Sequence, residues 1–208
     1  MIIAGISIAC TSTGTERKGS VPVGVSDTIA AKAPADKGKQ APAASMTSDR
    51  RGKGGTLNLA FVGDIMPGTT FPDSRLPEKD GATLFKDVDS ILTAADVAAG
   101  NMEGALADEG GTTQKGGKFS YSFRVPTRYG KLIADAGFDF MSMANNHAFD
   151  FGLDGVKSTE ATLHSNGIAY SGIGGRKESA IVERNGIRYG FCAFGHNSYT
   201  LKHADQEN

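Results

Sequence analysis

The sequence predicts an α/β domain built on a largely parallel sheet, and two observations carry that prediction. From residue 57 onward, strand-like segments alternate with helix-like ones, which is the signature of strand–helix–strand crossovers. Three successive strand-like segments also end in polar clusters: Gly63-Asp64, Asn101-Met102-Glu103 and Asn145-Asn146-His147. In parallel sheets, ligands bind beyond the carboxyl ends of the strands. The chain of 208 residues has room for one domain and a tail. It contains 22 Lys+Arg against 23 Asp+Glu, so its charge gives no reason to expect nucleic acid as a partner. Two cysteines, Cys10 and Cys192, cannot build a disulfide framework.

The elements follow in order. Residues 57–62 alternate and stop at Gly63-Asp64, which predicts a first buried strand. Residues 84–95 predict a helix with Leu84, Phe85, Val88, Ile91 and Leu92 on one apolar face. Residues 96–101 form a second strand running into Glu103, and residues 104–118, rich in Gly and Thr, read as a long loop. Residues 119–125 alternate. Pro126-Thr127 then opens a helix through Ala136 that Gly137 closes. Residues 138–143 are the third strand, 153–165 a helix and 168–171 a strand. Residues 181–183 and 187–194, joined through Asn185-Gly186, predict a hairpin. Cys192 falls inside the last strand and reads as core. His164 sits mid-helix and reads as surface.

The near-neutral charge is the sum of two unlike parts. Residues 11–55 hold eight of the basic residues and four of the acidic ones, a balance of about +4, and contain no aromatic residue. Such a composition cannot bury enough apolar area to offset its ordering entropy, so 11–55 is expected to be a disordered basic linker. Ahead of it, the apolar segment 1–10 ends in Ala9-Cys10. It resembles the end of a bacterial lipoprotein signal, with Cys10 as the lipidated residue. The globular part is expected over residues 56–208.

The three polar tips carry the chemistry. Asp64 and Glu103 are hard oxygen ligands for a divalent cation. Asn146 can add an amide oxygen, and His147 can ligate metal or exchange a proton near neutral pH. Taken one at a time, the same residues also read as turn and cap residues. Their recurrence at three strand ends favours a site.

Gly63-Asp64-Ile65-Met66, Asn101-Met102-Glu103-Gly104 and the run from Ala144 through Asn145-Asn146-His147 to Asp150-Phe151-Gly152 resemble the capsule synthesis protein CapA family. That family is linked to poly-gamma-glutamate capsule synthesis and belongs to the metallo-dependent phosphatase-like superfamily. The resemblance covers residues 57–194. It implies a metallophosphoesterase-like layered α/β sandwich. It places Asp64, Glu103 and Asn146 on a divalent metal (Mn, Zn or Mg) and sets His147 and Asn145 in the catalytic set. It implies a bacterial cell-envelope location and, as partner, an anionic envelope polymer or its biosynthetic machinery. Met66 stands where many phosphoesterases carry a ligand histidine. Family members continue past the hairpin with His-Trp-Gly and His-Pro-His motifs. This sequence has no Trp, and His196 and His203 lack the spacing of those motifs. The chain is therefore expected to be the N-terminal half of the domain, with an uncovered sheet edge. Two functions are expected: a metal-dependent hydrolase or transferase of the envelope polymer, or a non-catalytic protein that binds the polymer or a partner.

Overall fold

A computed structural model describes residues 5–11, 57–113 and 121–195. The expected linker lies outside the described residues apart from Thr11, as do His196 and His203. The strands are β1 (Gly5–Thr11), β2 (Leu59–Ile65), β3 (Val97–Met102), β4 (Ala105–Leu106), β5 (Arg124–Val125), β6 (Phe140–Ser142), β7 (Ala169–Ser171), β8 (Ser179–Arg184) and β9 (Ile187–Phe194). The helices are α1 (Asp89–Ala94), α2 (Tyr129–Asp135) and α3 (Gly152–Ser165), preceded by a 3-10 turn at Glu78–Gly81.

The predicted fold class is the observed one. A four-stranded sheet in the order β2-β3-β6-β7 is parallel throughout. A second, antiparallel sheet runs β1-β9-β8. Its Phe191 stacks on Phe140 with ring centroids 4.3 Å apart, which lays the second sheet over β6. The opposite face of the parallel sheet is covered by α1, α2 and α3. Leu92, Ile133, Val156 and Leu163 bury there with Met141 and Phe138. The layers are thus helices, parallel sheet and antiparallel sheet. Ala98, Ala99 and Gly100 keep β3 thin enough for both layers to close, and all six residues of β3 are buried. Gly5–Thr11, the segment that ends near Cys10, pairs antiparallel with β9 from Gly5↔Phe194 to Thr11↔Arg188.

Several elements depart from the sequence reading. The first strand does not stop at Val62 but runs through Ile65. Its pairing with β3 slips between Phe61 and Asp64, so β2 carries one extra residue there. This bulge absorbs Gly63 and keeps Asp64 inside the strand. The helix expected over 84–95 shortens to α1. Phe85 and Leu92 pack inward, while Leu84, Val88 and Ile91 are exposed. The apolar residues of this segment are therefore split between two directions. The expected loop 104–118 contains β4, which pairs parallel with β5. Cys192 lies on the outward side of β9 and is half-buried, not core. The hairpin is as expected, with Asn185 and Gly186 both at positive φ (54° and 74°), the conformation of a two-residue turn. His164 is exposed.

The bulge depends on a close approach. A β-carbon on Gly100 would lie 3.0 Å from Val62 Cγ2 and 3.1 Å from Ile65 Cγ1, whereas one on Gly63 would meet nothing within 4 Å. Gly100→Val is expected to destabilise the fold by about 1–3 kcal/mol through overpacking. Gly63→Ala should stay within about 0.5 kcal/mol of the parent. Urea denaturation followed by circular dichroism reads both changes.

Candidate functional site

Because β2, β3, β6 and β7 are parallel, their carboxyl ends share one edge, and the three polar tips meet there. Strand alternation puts Asn101 and Glu103 on the same side of the chain leaving β3. The side-chain amide of Asn101 holds the two carboxylates. Its Nδ2 donates to Asp64 Oδ1 and to Glu103 Oε2, each at 2.8 Å. Its Oδ1 accepts from Asn145 Nδ2 at 3.0 Å. The amide orientation follows from these partners, since a flip would turn Oδ1 onto two carboxylates.

Asn145 continues the relay. Its Nδ2 also donates to the Met102 carbonyl at 2.8 Å, and its Oδ1 accepts the His147 amide at 2.9 Å. Asn145 is buried with both ends of its amide engaged inside the protein, so its place here is that of a brace behind the site. Asn146 is half-buried in the same loop.

His147 faces the carboxylates. Its Nδ1 lies 2.8 Å from Asp150 Oδ2, and the carboxylate assigns the proton of that bond to Nδ1. Nε2 then points toward Glu103 Oε1, 3.6 Å away, too long for a hydrogen bond but within ion-pair range. Asp150 is fully buried, and its Oδ2 also accepts the Phe123 amide at 2.7 Å. The Phe123 ring sits 4.5 Å from the imidazole, and the Tyr121 ring stacks beyond it at 6.3 Å. The imidazole is thus fixed in position by Asp150 at its back and Phe123 at its side.

Burial, followed by the neighbouring charge of Asp64, pushes the Glu103 carboxyl above the usual glutamate range, with His147 and Asn101 opposing the shift. A carboxyl raised in the folded state favours the protonated native form. Its contribution is therefore lost as pH rises through and above the glutamate range.

The structure brings together Asp64, Glu103, Asn145 and His147, and Asn146 lies between Asn145 and His147 in the same loop. The sequence reading gave no role to Asn101, Asp150 or Phe123. Two signals were available: Asn101 lies two residues from Glu103 on the same strand face, and Asp150 lies three residues after His147. Among the described residues, no group of three or more His, Cys, Asp or Glu side chains is arranged to hold a metal ion.

Glu103→Gln is expected to raise the melting temperature of the metal-free protein at pH 7 and to flatten the decline of stability between the glutamate range and neutrality. Thermal melts over that pH range check it. Parallel profiles for parent and variant contradict it.

Comparison with known proteins identifies the family. The profile of the bacterial capsule synthesis protein family PGA_cap matches residues 58–208. The PGA biosynthesis protein CapA of Bacillus subtilis (strain 168) is 30% identical over 146 residues, covering 66% of this chain and 37% of that protein. The capsule biosynthesis protein CapA of Bacillus anthracis is 28% identical over 144 residues, covering 66% of this chain and 34% of its own. A protein of Sinorhizobium fredii (strain NBRC 101917 / NGR234), y4sH, is 32% identical over 131 residues, covering 62% of this chain and 27% of its own. The match thus spans between 27% and 37% of these relatives. The chain belongs to the bacterial capsule synthesis protein family PGA_cap.

Proposed function

We propose that the protein acts in bacterial capsule synthesis as a metal-dependent hydrolase or transferase on an anionic envelope polymer of the poly-gamma-glutamate type. The observation that carries this reading is the His147–Asp150 pair, whose other ring nitrogen lies 3.6 Å from the Glu103 carboxylate, itself joined to Asp64 by the Asn101 amide.

The donor set fits one hard divalent ion. Asp64 and Glu103 converge on Asn101 Nδ2, and Asn146 follows in the adjoining loop. Carboxylate and amide oxygens suit Mg or Mn better than the softer Zn. A bound ion would supply Lewis acidity toward a carbonyl or phosphoryl oxygen.

The remaining roles belong to the chain. Asp150 holds the His147 ring and its Nδ1 proton, leaving Nε2 to carry a proton to the leaving group. Asn101 sets the separation of the two carboxylates, and Asn145 anchors Asn101 to the loop that bears His147. The exposed side of Asp64 keeps the site open to a long polymer. No helix of the described residues is long and apolar enough to cross a membrane. Residence at the cell envelope through a lipidated Cys10 belongs to the same proposal.

The short donor set also favours a second reading, in which the same cleft binds the polymer or a biosynthetic partner without turning it over. Calorimetric titration of the full chain with Mn²⁺ separates the two. Micromolar binding that is lost in Asp64→Ala supports the enzyme. Absence of binding together with retained affinity for poly-gamma-glutamate supports the binding protein. In the enzyme, Asp150→Asn is expected to lower kcat by about 10²–10⁴-fold with little change in KM, because it releases the general acid from its orientation. Polymer chain-length analysis over time measures this, and an unchanged rate contradicts the role.

A further inference from the structure

The chain fixes the Phe123 ring beside His147 by its backbone. Gly104 follows Glu103 with φ at 114°, and a β-carbon there would lie 2.8 Å from both Phe123 Cβ and the Phe123 carbonyl oxygen. Glycine is what lets the Phe123 segment come alongside the site. The Phe123 carbonyl accepts the Ala105 amide at 2.9 Å, and the Phe123 amide donates to the buried Asp150 carboxylate at 2.7 Å. The ring is held 4.5 Å from the imidazole.

A second ring continues the row outward. Tyr121 lies parallel to Phe123 within 5°, with centroids 6.3 Å apart, and is 61% exposed. Imidazole, Phe123 and Tyr121 thus lead from the carboxylates toward solvent. Packing accounts for Phe123, whose backbone serves Asp150. It does not account for Tyr121, which buries little of itself. A large ring left in water next to a polar cluster marks a ligand surface.

Charge and shape specify the occupant. Aromatic faces are electron-rich and repel anions, and Asp64 and Glu103 add negative charge at the inner end of the row, so a carboxylate-bearing unit is poorly suited to it. A cation is held best by rings that converge on it as a cage, whereas these two are parallel. The complementary group is a neutral ring with a weakly electropositive C–H face and a rim of hydroxyls. Its C–H face lies on the aromatic rings, and its hydroxyls donate to carboxylates, which only accept. A pyranose sugar has this pattern.

We propose that Tyr121 and Phe123 form a sugar-binding platform, which seats a pyranose unit of a glycan against the candidate site with its hydroxyls toward the carboxylate end of the row. This gives the cleft of the proposed function a second ligand class. It rests on that cleft being a ligand site, and it needs neither metal nor turnover.

The sequence has no tryptophan, so Tyr121→Trp puts a single indole on the platform. The probe is chitotetraose, a neutral oligomer of N-acetylglucosamine, and the comparison is poly-gamma-glutamate, each added to the full chain without metal. The expected result is a saturable blue shift of the indole emission with chitotetraose and none with poly-gamma-glutamate. By calorimetry, affinity for chitotetraose should fall roughly three- to tenfold in Tyr121→Ala and be retained in Tyr121→Phe. Both variants should melt as the parent does, because the ring is exposed. Four results overturn the proposal: no glycan binding at millimolar chitotetraose; an affinity indifferent to Tyr121→Ala; a loss in Tyr121→Phe as large as in Tyr121→Ala, which assigns the contact to the hydroxyl; or an emission shift with poly-gamma-glutamate alone, which assigns the rings to the anionic polymer. A chain that binds chitotetraose but not Mn²⁺ keeps this proposal and loses the catalytic reading, and the reverse pattern loses only this proposal.

Discussion

The site depends on one side-chain amide. Asn101 has two N–H protons and one carbonyl oxygen, and all three are used: one proton for Asp64, one for Glu103, and the oxygen for Asn145. Two carboxylates brought together without a counter-charge repel each other and lose solvation. A shared donor between them offsets part of that cost and fixes their spacing. The residual cost shows at Glu103, whose carboxyl is raised by burial and by Asp64. A divalent cation or a proton at this place relieves the same strain, which is the physical link between the polar relay and the proposed chemistry.

The fold is arranged to deliver that amide. Asn101 sits near the end of the fully buried strand β3, between β2, which brings Asp64, and β6, which leads into Asn145 and His147. The bulge in β2 decides where Asp64 falls in the register, pairing it with Asn101. Asp150 is reached differently, by the turn that follows His147, and it binds both the imidazole and the Phe123 backbone. The long connection from β4 to β5 is thereby tied to the ring that does the proposed work. Because each contact is shared by two elements, loss of one group propagates to both.

Much of this was legible in the sequence. Period-two alternation and the spacing of polar tips give the parallel sheet and the edge at which the tips meet, and Asn185-Gly186 gives the hairpin. Asp64, Glu103, Asn146 and His147 were singled out by residue type and position; Asp64 and Glu103 share the Asn101 amide, and His147 Nε2 lies 3.6 Å from Glu103. The rest was hidden for definite reasons. The bulge follows from the tight contact of Val62 and Ile65 over Gly100, a tertiary event with no local signature. The stretch 84–94 has helical spacing, but spacing cannot say that Phe85 and Leu92 turn one way and Val88 and Ile91 another. The pairing of β4 with β5 joins residues about twenty apart across a Gly-rich segment. Asn101 and Asp150 were passed over because a hydrogen-bond hub is recognised by its partners, which a linear reading does not supply.

Asp64 and Glu103 are electrostatically coupled across Asn101. Titration of the Glu103 side-chain carboxyl by carbon-detected NMR, in the metal-free chain and in Asp64→Asn, tests this most directly. The Glu103 midpoint is expected to lie above the usual glutamate range and to move down when Asp64 is neutralised. A Glu103 that titrates in the ordinary range and ignores the Asp64 substitution contradicts it.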